Sequence, residues 1–467
     1  MNPAIAPAAM PAIEQSDLFT RWRDPVSGVE SFILNKRRAA PLQLSFYFVN
    51  SGFSDDGRFL WMYCAFPPGG DAYYGRQLAV ADFKRQTVRH FPETQFMDAS
   101  PCVDAATGEA YWTTGLEVWK RGPRPGDSAE LVGAFPAALA RNRRPLRIAT
   151  HLSRSADGRA FAIDAQIGAE WFVGELPLAG NGVNGVNGAN GVNGAGGANA
   201  TNAANGAGDV DGVNGAGGVN GGVNGANSAG SVNGAGANGA NGAGAANAAT
   251  TANTATAFNA FNTANASGAF RLWRHFDICH NHAQFSPVDP GLMLIAQDGW
   301  NDLLTGTEGV TRDRLWLLRR DGTLTQLVPD DPLPSSLRGH EWWGADGGHV
   351  WYVDYRRGTA KINLRTGRHE LVWPNGHTHS HCDRAGRWLV GDANPDDGSW
   401  RVAFYNISTG REAGIVSRLP PLDRRPYHVH PHPRFCLRDR YICYTTNVLG
   451  TVDAAITPVE QLVALTS

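Results

Sequence analysis

The sequence predicts an all-β protein: a seven-bladed β-propeller closed by an N-terminal strand and carrying a long low-complexity Gly/Asn/Ala insertion. Three observations predict it. A strand–turn–strand unit recurs seven times along the chain. Outside the insertion the hydrophobic pattern has period two almost throughout, and no helix of useful length competes. The same stretches are rich in Trp, Tyr, Phe and β-branched residues, which suit half-buried pleated strands.

The first half of the unit reads FSDDGRFLWMY from Phe53, PCVDAATGEAYWTT from Pro101 and LSRSADGRAFAID from Leu152. It returns as FSPVDPGLMLIA from Phe285, WWGADGGHVWYVD from Trp342, HCDRAGRWLVGD from His381 and FCLRDRYICYTT from Phe435. The second half reads QLAVADFKRQTVRHF from Gln77, RLWLLRRDGTLTQLV from Arg314, AKINLRTGRHELVW from Ala360 and VAFYNISTGREAGIV from Val402. These are hairpins, with glycine supplying the left-handed backbone of a tight connection. Seven units of roughly forty to sixty residues fit propeller blades. The seventh lacks an outer strand, and TRWRDPVSGVESFILNK from Thr20 has the strand-like runs to complete it. The expected organisation is a flexible N-terminus at 1–16 and one propeller domain at 17–467. Within it, 180–267 forms a disordered insertion, too poor in large apolar side chains to offset the entropy of ordering its backbone.

Composition narrows the partners. The formal net charge is −2 over 467 residues, so there is no basic footprint for nucleic acid and no polybasic membrane patch. No run reaches the ~18 apolar residues of a membrane span, and the first residues lack the basic and apolar regions of a secretory signal. Six scattered cysteines form no CxxC pair, which points to neither a zinc ribbon nor a disulfide scaffold, and a reducing cytoplasm is the expected setting.

The chemistry-bearing signal is histidine. In five units a histidine stands six residues before a common turn position: His151 before Asp157, His282 before Val288, His340 before Asp346, His379 before Ala385 and His432 before Arg438. The innermost strand of each blade borders the channel, so one offset in five blades predicts five imidazoles around one axial site. His430 and His432, two apart on an extended strand, face the same way. With His340 from another blade they are expected to hold a metal ion with an open position. His151 and His379 read either as substrate contacts or as structural hydrogen-bonding residues. Of Trp342 and Trp343, one is expected to pack between blades and the other to stack on a sugar ring.

With these residues in hand, the chain resembles the oligogalacturonate lyases, the propeller family of pectate lyases. The likeness runs along most of the chain outside the insertion, through FYF and FSDDGR, HAQFSPVDP, RLWLLRRDG, HEWWGADG, LVGD and HPHPRF. The resemblance implies a cytoplasmic, metal-dependent carbon–oxygen lyase that cleaves short oligogalacturonides by β-elimination. It implies His282 as the base and His340, His430 and His432 as ligands of Mn²⁺, with Zn²⁺, Ni²⁺ or Fe²⁺ also suited to an imidazole-rich shell. The family's ligating glutamine falls at Tyr427 here, so either the adjacent His428 enters the shell or water does. The family's substrate-binding arginine has no match; Arg271 and Arg274 are the nearest. Arg338 and Arg425 are further candidates for substrate carboxylates. The competing readings are a lyase for another uronic-acid oligosaccharide and a binding propeller with no chemistry.

Overall fold

The computed structural model describes residues 13–70, 75–96, 101–141, 143, 146–178, 270–298, 314–328, 338–393, 399–421 and 430–467. They form seven antiparallel sheets, the blades of the propeller. The first blade is β3 (Leu42–Leu44), β4 (Phe59–Ala65), β5 (Gln77–Asp82) and β6 (Thr87–Phe91). The second is β7 (Cys102–Val103), β8 (Ala110–Thr114), β9 (Glu117–Arg121) and β10 (Glu130–Ala134). In the third, β11 (Arg147–Ile148) and β12 (Ser153–Arg154) both pair with β13 (Ala160–Ile167), followed by β14 (Glu170–Pro177) and β15 (Arg271–Phe276). Its inner strand is therefore broken, and His151 lies in the break.

The fourth blade is β16 (His280–Phe285), β17 (Leu292–Gln297), β18 (Leu315–Arg319) and β19 (Leu324–Gln326). The fifth is β20 (Arg338–Trp343), β21 (His349–Asp354), β22 (Gly358–Asn363) and β23 (His369–Trp373). The sixth is β24 (His379–Cys382), β25 (Trp388–Ala393), β26 (Arg401–Asn406) and β27 (Arg411–Val416). The seventh takes β28 (Arg434–Cys436), β29 (Tyr441–Thr446) and β30 (Asp453–Pro458) from the end of the chain. It then takes β2 (Glu30–Leu34) and β1 (Phe19–Arg23) from the beginning. Phe32 pairs with Ile456 and Ile33 with Ala455, so the N-terminal segment closes the ring as expected.

Stacked blades bury both faces of their inner strands, which is why β4 reads FLWMYCA and is buried at every position. Tryptophans tie neighbours together: the Trp61 indole donates to the Gly108 carbonyl on the second blade at 2.9 Å. Gly57, Gly158, Gly347 and Gly386 hold the inner-hairpin turns with φ of 64–70°. The seventh blade has no glycine there, and Leu437, Arg438 and Asp439 all take left-handed φ of 52–63°.

Two expectations are corrected. Residues 13–16 are not a flexible tail: Ile13–Gln15 is a 3₁₀ turn, Ile13 is buried in a cluster with Leu18 and Phe19, and Ser16 hydrogen-bonds Gln86 at 2.9 Å. A helix does form, at Val459–Thr466, because Val459, Leu462 and Thr466 fall on one face and are buried. The expected insertion at 180–267 lies outside the described residues, as does most of 1–16. The strands on either side of the insertion are adjacent in one blade, with Glu175 opposite Arg271. Among the described residues no helix is long and apolar enough to cross a membrane, and all six cysteines are free and buried.

Candidate active site and metal centre

The five histidines of the common offset do meet. Their rings surround Tyr47, which follows β3 toward the axis, at centroid distances of 6.1 Å (His151), 6.4 Å (His282), 6.3 Å (His340), 6.1 Å (His379) and 5.0 Å (His432). Tyr47 carries no offset signal and was not singled out from the sequence.

The rings reach the axis through strained backbone. His282, His340 and His432 have φ of 53°, 50° and 46°, and β16 and β20 shift register at the first two. Such left-handed positions are costly for residues other than glycine and persist only where the surroundings over-determine them. At His282 and His432, buried carboxylates from the neighbouring blades supply that constraint. Asp164 on β13 accepts from the Thr150 amide (2.9 Å) and hydroxyl (2.8 Å), and from the Ala283 amide in the next blade (3.1 Å). Asp392 on β25 accepts from the His379 amide (2.9 Å) and from the His432 amide in the next blade (3.0 Å).

His282 is the most elaborately held of the five. Its Nδ1 lies 2.9 Å from Oε1 of Glu341, the second residue of HEWW. Arg314 donates from Nε to the other oxygen of Glu341 at 2.9 Å and pairs with Asp298 at 3.1 Å, and its Nη2 lies 3.4 Å from His282 Nδ1. Burial alone would raise the Glu341 carboxyl, but the Arg314 guanidinium and the His282 ring more than offset it and hold it well below the usual carboxylate range. Glu341 is thus an anion beside Nδ1 of His282, which turns Nε2 away from it. Neither Glu341 nor Arg314 was assigned this role from the sequence, because the pair forms across blades.

The histidine group whose geometry could hold a metal ion differs by one member from the expected set. Ligand nitrogens of His379, His430 and His432 lie within 4.8 Å of one another. His379 stands where His340 was expected, and Asp392 holds its Nδ1 (2.9 and 3.0 Å). His340 lies outside this group; its ring is 4.0 Å from that of His379 and its Nδ1 is hydrogen-bonded to the Tyr355 hydroxyl at 2.8 Å. Burial, then the neighbouring His379 and Arg314, push the His340 pKa well down, so the ring is neutral. His430 and His432 converge, but not as alternate residues of a strand: β28 begins only at Arg434, and the left-handed His432 turns its ring 90° to that of His430 at 5.4 Å.

The expected substrate contacts fare differently. His151 is 1% exposed, its ring 5.3 Å from that of His282, and neither ring nitrogen meets a hydrogen-bonding partner among the described residues. Burial, with His282 adding, pushes its pKa down to about 3. A side chain so covered lends no surface to a saccharide. Trp342 is also buried, parallel to Trp351 at 5.9 Å and His381 at 6.2 Å, so it is the tryptophan that packs between blades. Arg271 and Arg274 lie on the outer strand β15, where Arg271 pairs with Glu175 and Arg274 donates to the Gly322 carbonyl. Arg338 is buried. Arg425, Tyr427 and His428 lie outside the described residues. His280 and His377 pack in the blades, His280 stacked at 3.7 Å on Phe276 and His377 tilted at 3.7 Å against Trp373.

No family model matches the chain. The oligogalacturonide lyase of Pectobacterium atrosepticum is 26% identical over 192 residues, 36% of this chain and 47% of that protein. The oligogalacturonate lyase of Dickeya dadantii is 24% identical over the same length and shares. The chain thus matches about half the length of these curated relatives. Among solved structures, an oligogalacturonate lyase in complex with manganese superposes with a TM-score of 0.59 at 14% identity, covering 94% of this chain and 96% of that one. The oligogalacturonate lyase of Vibrio parahaemolyticus gives 0.61 at 13% identity, covering 95% and 97%. These structures share the propeller fold.

Proposed function

We propose that this chain is a metal-dependent lyase that cleaves short oligogalacturonides by β-elimination. One observation carries the reading: His282, its Nδ1 held by a buried, ionised glutamate, belongs to the same ring of histidines around Tyr47 as His379 and His432, whose ring nitrogens converge with one of His430. The partial sequence likeness to oligogalacturonate lyases supports it.

The donor set fits a divalent cation. His379, His430 and His432 would hold it, with Asp392 fixing the orientation of His379, and the manganese-bound relative favours Mn²⁺. A bound cation supplies Lewis-acid stabilisation of the extra negative charge that develops on a uronate carboxylate. The chain's own residues do the proton work. Glu341 and Arg314 keep His282 in one tautomer, so Nε2 takes the proton from C5 of the uronate. The C4–C5 double bond forms as C4–O4 breaks, and the departing oxygen takes a proton from water. The neutral His151 and His340 rings keep the basin free of competing cationic imidazoles.

The test is ultraviolet absorbance of the unsaturated uronate with digalacturonate and trigalacturonate, using chelated protein and protein resupplied with Mn²⁺. A metal-dependent rise is expected. His282→Ala is expected to abolish it with metal still bound, and His432→Ala to lose metal and turnover together. A flat trace with metal demonstrably bound would replace this reading with a different uronate or with a binding propeller.

A further inference from the structure

The channel has a second mouth, on the far side of the segment that carries Tyr47. The Phe48 ring is fully buried against His340 (5.8 Å), His379 (5.6 Å) and Trp342 (6.0 Å), and plugs the axis. Beyond it Val49 and Ser51 open into a cavity of about 360 Å³ that none of the five axial histidines lines. Its wall comes from the far ends of the inner strands and from their turns. A volume in this range suits a small organic ligand.

The charge on that wall is unbalanced in a specific way. Arg434 donates from Nε to the Phe435 carbonyl at 3.2 Å, yet its Nη1 is buried with no acceptor among the described residues, and it forms no ion pair there. Arg434 is only half-buried, but a buried N–H without an acceptor is an exception that calls for a cause. Arg384 and Arg438 also line the cavity, and neither forms an ion pair among the described residues. The acidic side chains between them are largely engaged. Asp383 accepts from the Arg387 and Trp388 amides (2.6 and 2.9 Å) and from Arg387 Nε (3.1 Å), and Asp439 accepts from the Arg384 amide (3.0 Å). Arg154, the remaining cation on the wall, is held by Asp104. The strained run Leu437–Asp439 lies on the same wall and sets Arg438 at its rim. Trp343, half-buried and fixed by its indole to the Gln284 carbonyl (3.1 Å), adds a flat apolar face, and Asp55 adds an exposed carboxylate that meets no side-chain donor among the described residues.

Arg384 and Arg438, with no ion pair among the described residues, a half-buried Arg434 whose Nη1 has no acceptor there, an aromatic face and a carboxylate make up a recognisable donor set. We propose that this second mouth binds a small hydroxylated carboxylate of monosaccharide size. Arg434 and Arg384 take its carboxylate, Asp55 takes a hydroxyl, and Trp343 takes its apolar face. The site shares no residue with the histidine basin and stands whether or not that basin eliminates.

Calorimetric titration with galacturonate tests it. His432→Ala protein is used so that the histidine basin is crippled, and the titration is repeated with Arg384→Gln added. Galacturonate is expected to bind the first protein and to bind the second at least tenfold more weakly, with neutral galactose at least tenfold weaker than galacturonate throughout. Arg384 is exposed, and an unchanged thermal midpoint confirms that the second protein is folded. Absence of binding to the His432→Ala protein, equal affinity of the two proteins, or equal affinity for galactose would each overturn the proposal. Arg384→Gln alone is expected to leave elimination unchanged, which separates this site from the proposed chemistry.

Discussion

Glu341 lies 2.9 Å from Nδ1 of His282 although the two residues belong to different blades, and Arg314 holds the same carboxylate from its other side. The arrangement fixes which nitrogen of His282 is basic. Glu341→Gln keeps the shape and removes the charge, and its amide lets Nδ1 lose the proton. Turnover is expected to fall by roughly 100-fold, in kcat rather than KM. Steady-state kinetics on trigalacturonate check it; an unchanged kcat would remove Glu341 from the chemistry.

Asp392 orients His379 through Nδ1 and clamps the His432 amide, so it acts on two of the three proposed ligands. Asp392→Asn is expected to weaken Mn²⁺ binding by about ten- to a hundredfold. Competition with a metal indicator measures it directly. Activity at saturating Mn²⁺ is expected to recover in part, which a merely unfolded variant would not show.

Buried histidines predict acid lability. Burial pushes His280 down to about 4 and His377 down to about 3, from an ordinary 6.5. The unfolded chain therefore binds protons that the folded chain refuses. Stability is full above pH 6.5 and is lost as pH falls toward these folded values, by on the order of 1 kcal/mol per pH unit for each histidine. Denaturant midpoints between pH 7.5 and pH 5 check the slope. His377→Gln is expected to make it shallower.

Trp342 is expected to matter to folding rather than to substrate. Trp342→Ala opens a void between Phe48, Trp351 and His381 and should cost ~3–5 kcal/mol of stability. KM for trigalacturonate in the folded fraction should stay unchanged. A large KM effect at intact stability would return Trp342 to the substrate.

Much of this molecule is legible in its sequence. Seven repeats, the N-terminal strand that closes the ring and the meeting of five histidines all follow from one regularity. A fixed offset within a repeat becomes a fixed position around an axis, so residues hundreds apart in the chain converge. The repeat does not encode which nitrogens then face one another. His379 rather than His340 brings a ring nitrogen within reach of His430 and His432, although both rings are held at Nδ1, by Asp392 and by Tyr355. His432 reaches the group through a left-handed kink that no alternation rule describes. Tyr47 enters the ring from outside the repeat register, and Glu341 and Arg314 find His282 only across a blade boundary. The sequence by itself determined the ring and its members. The tertiary structure alone decided how their rings are arranged, because that depends on ring rotation and on hydrogen bonds between blades, each set by neighbours that the chain brings together only when the propeller closes.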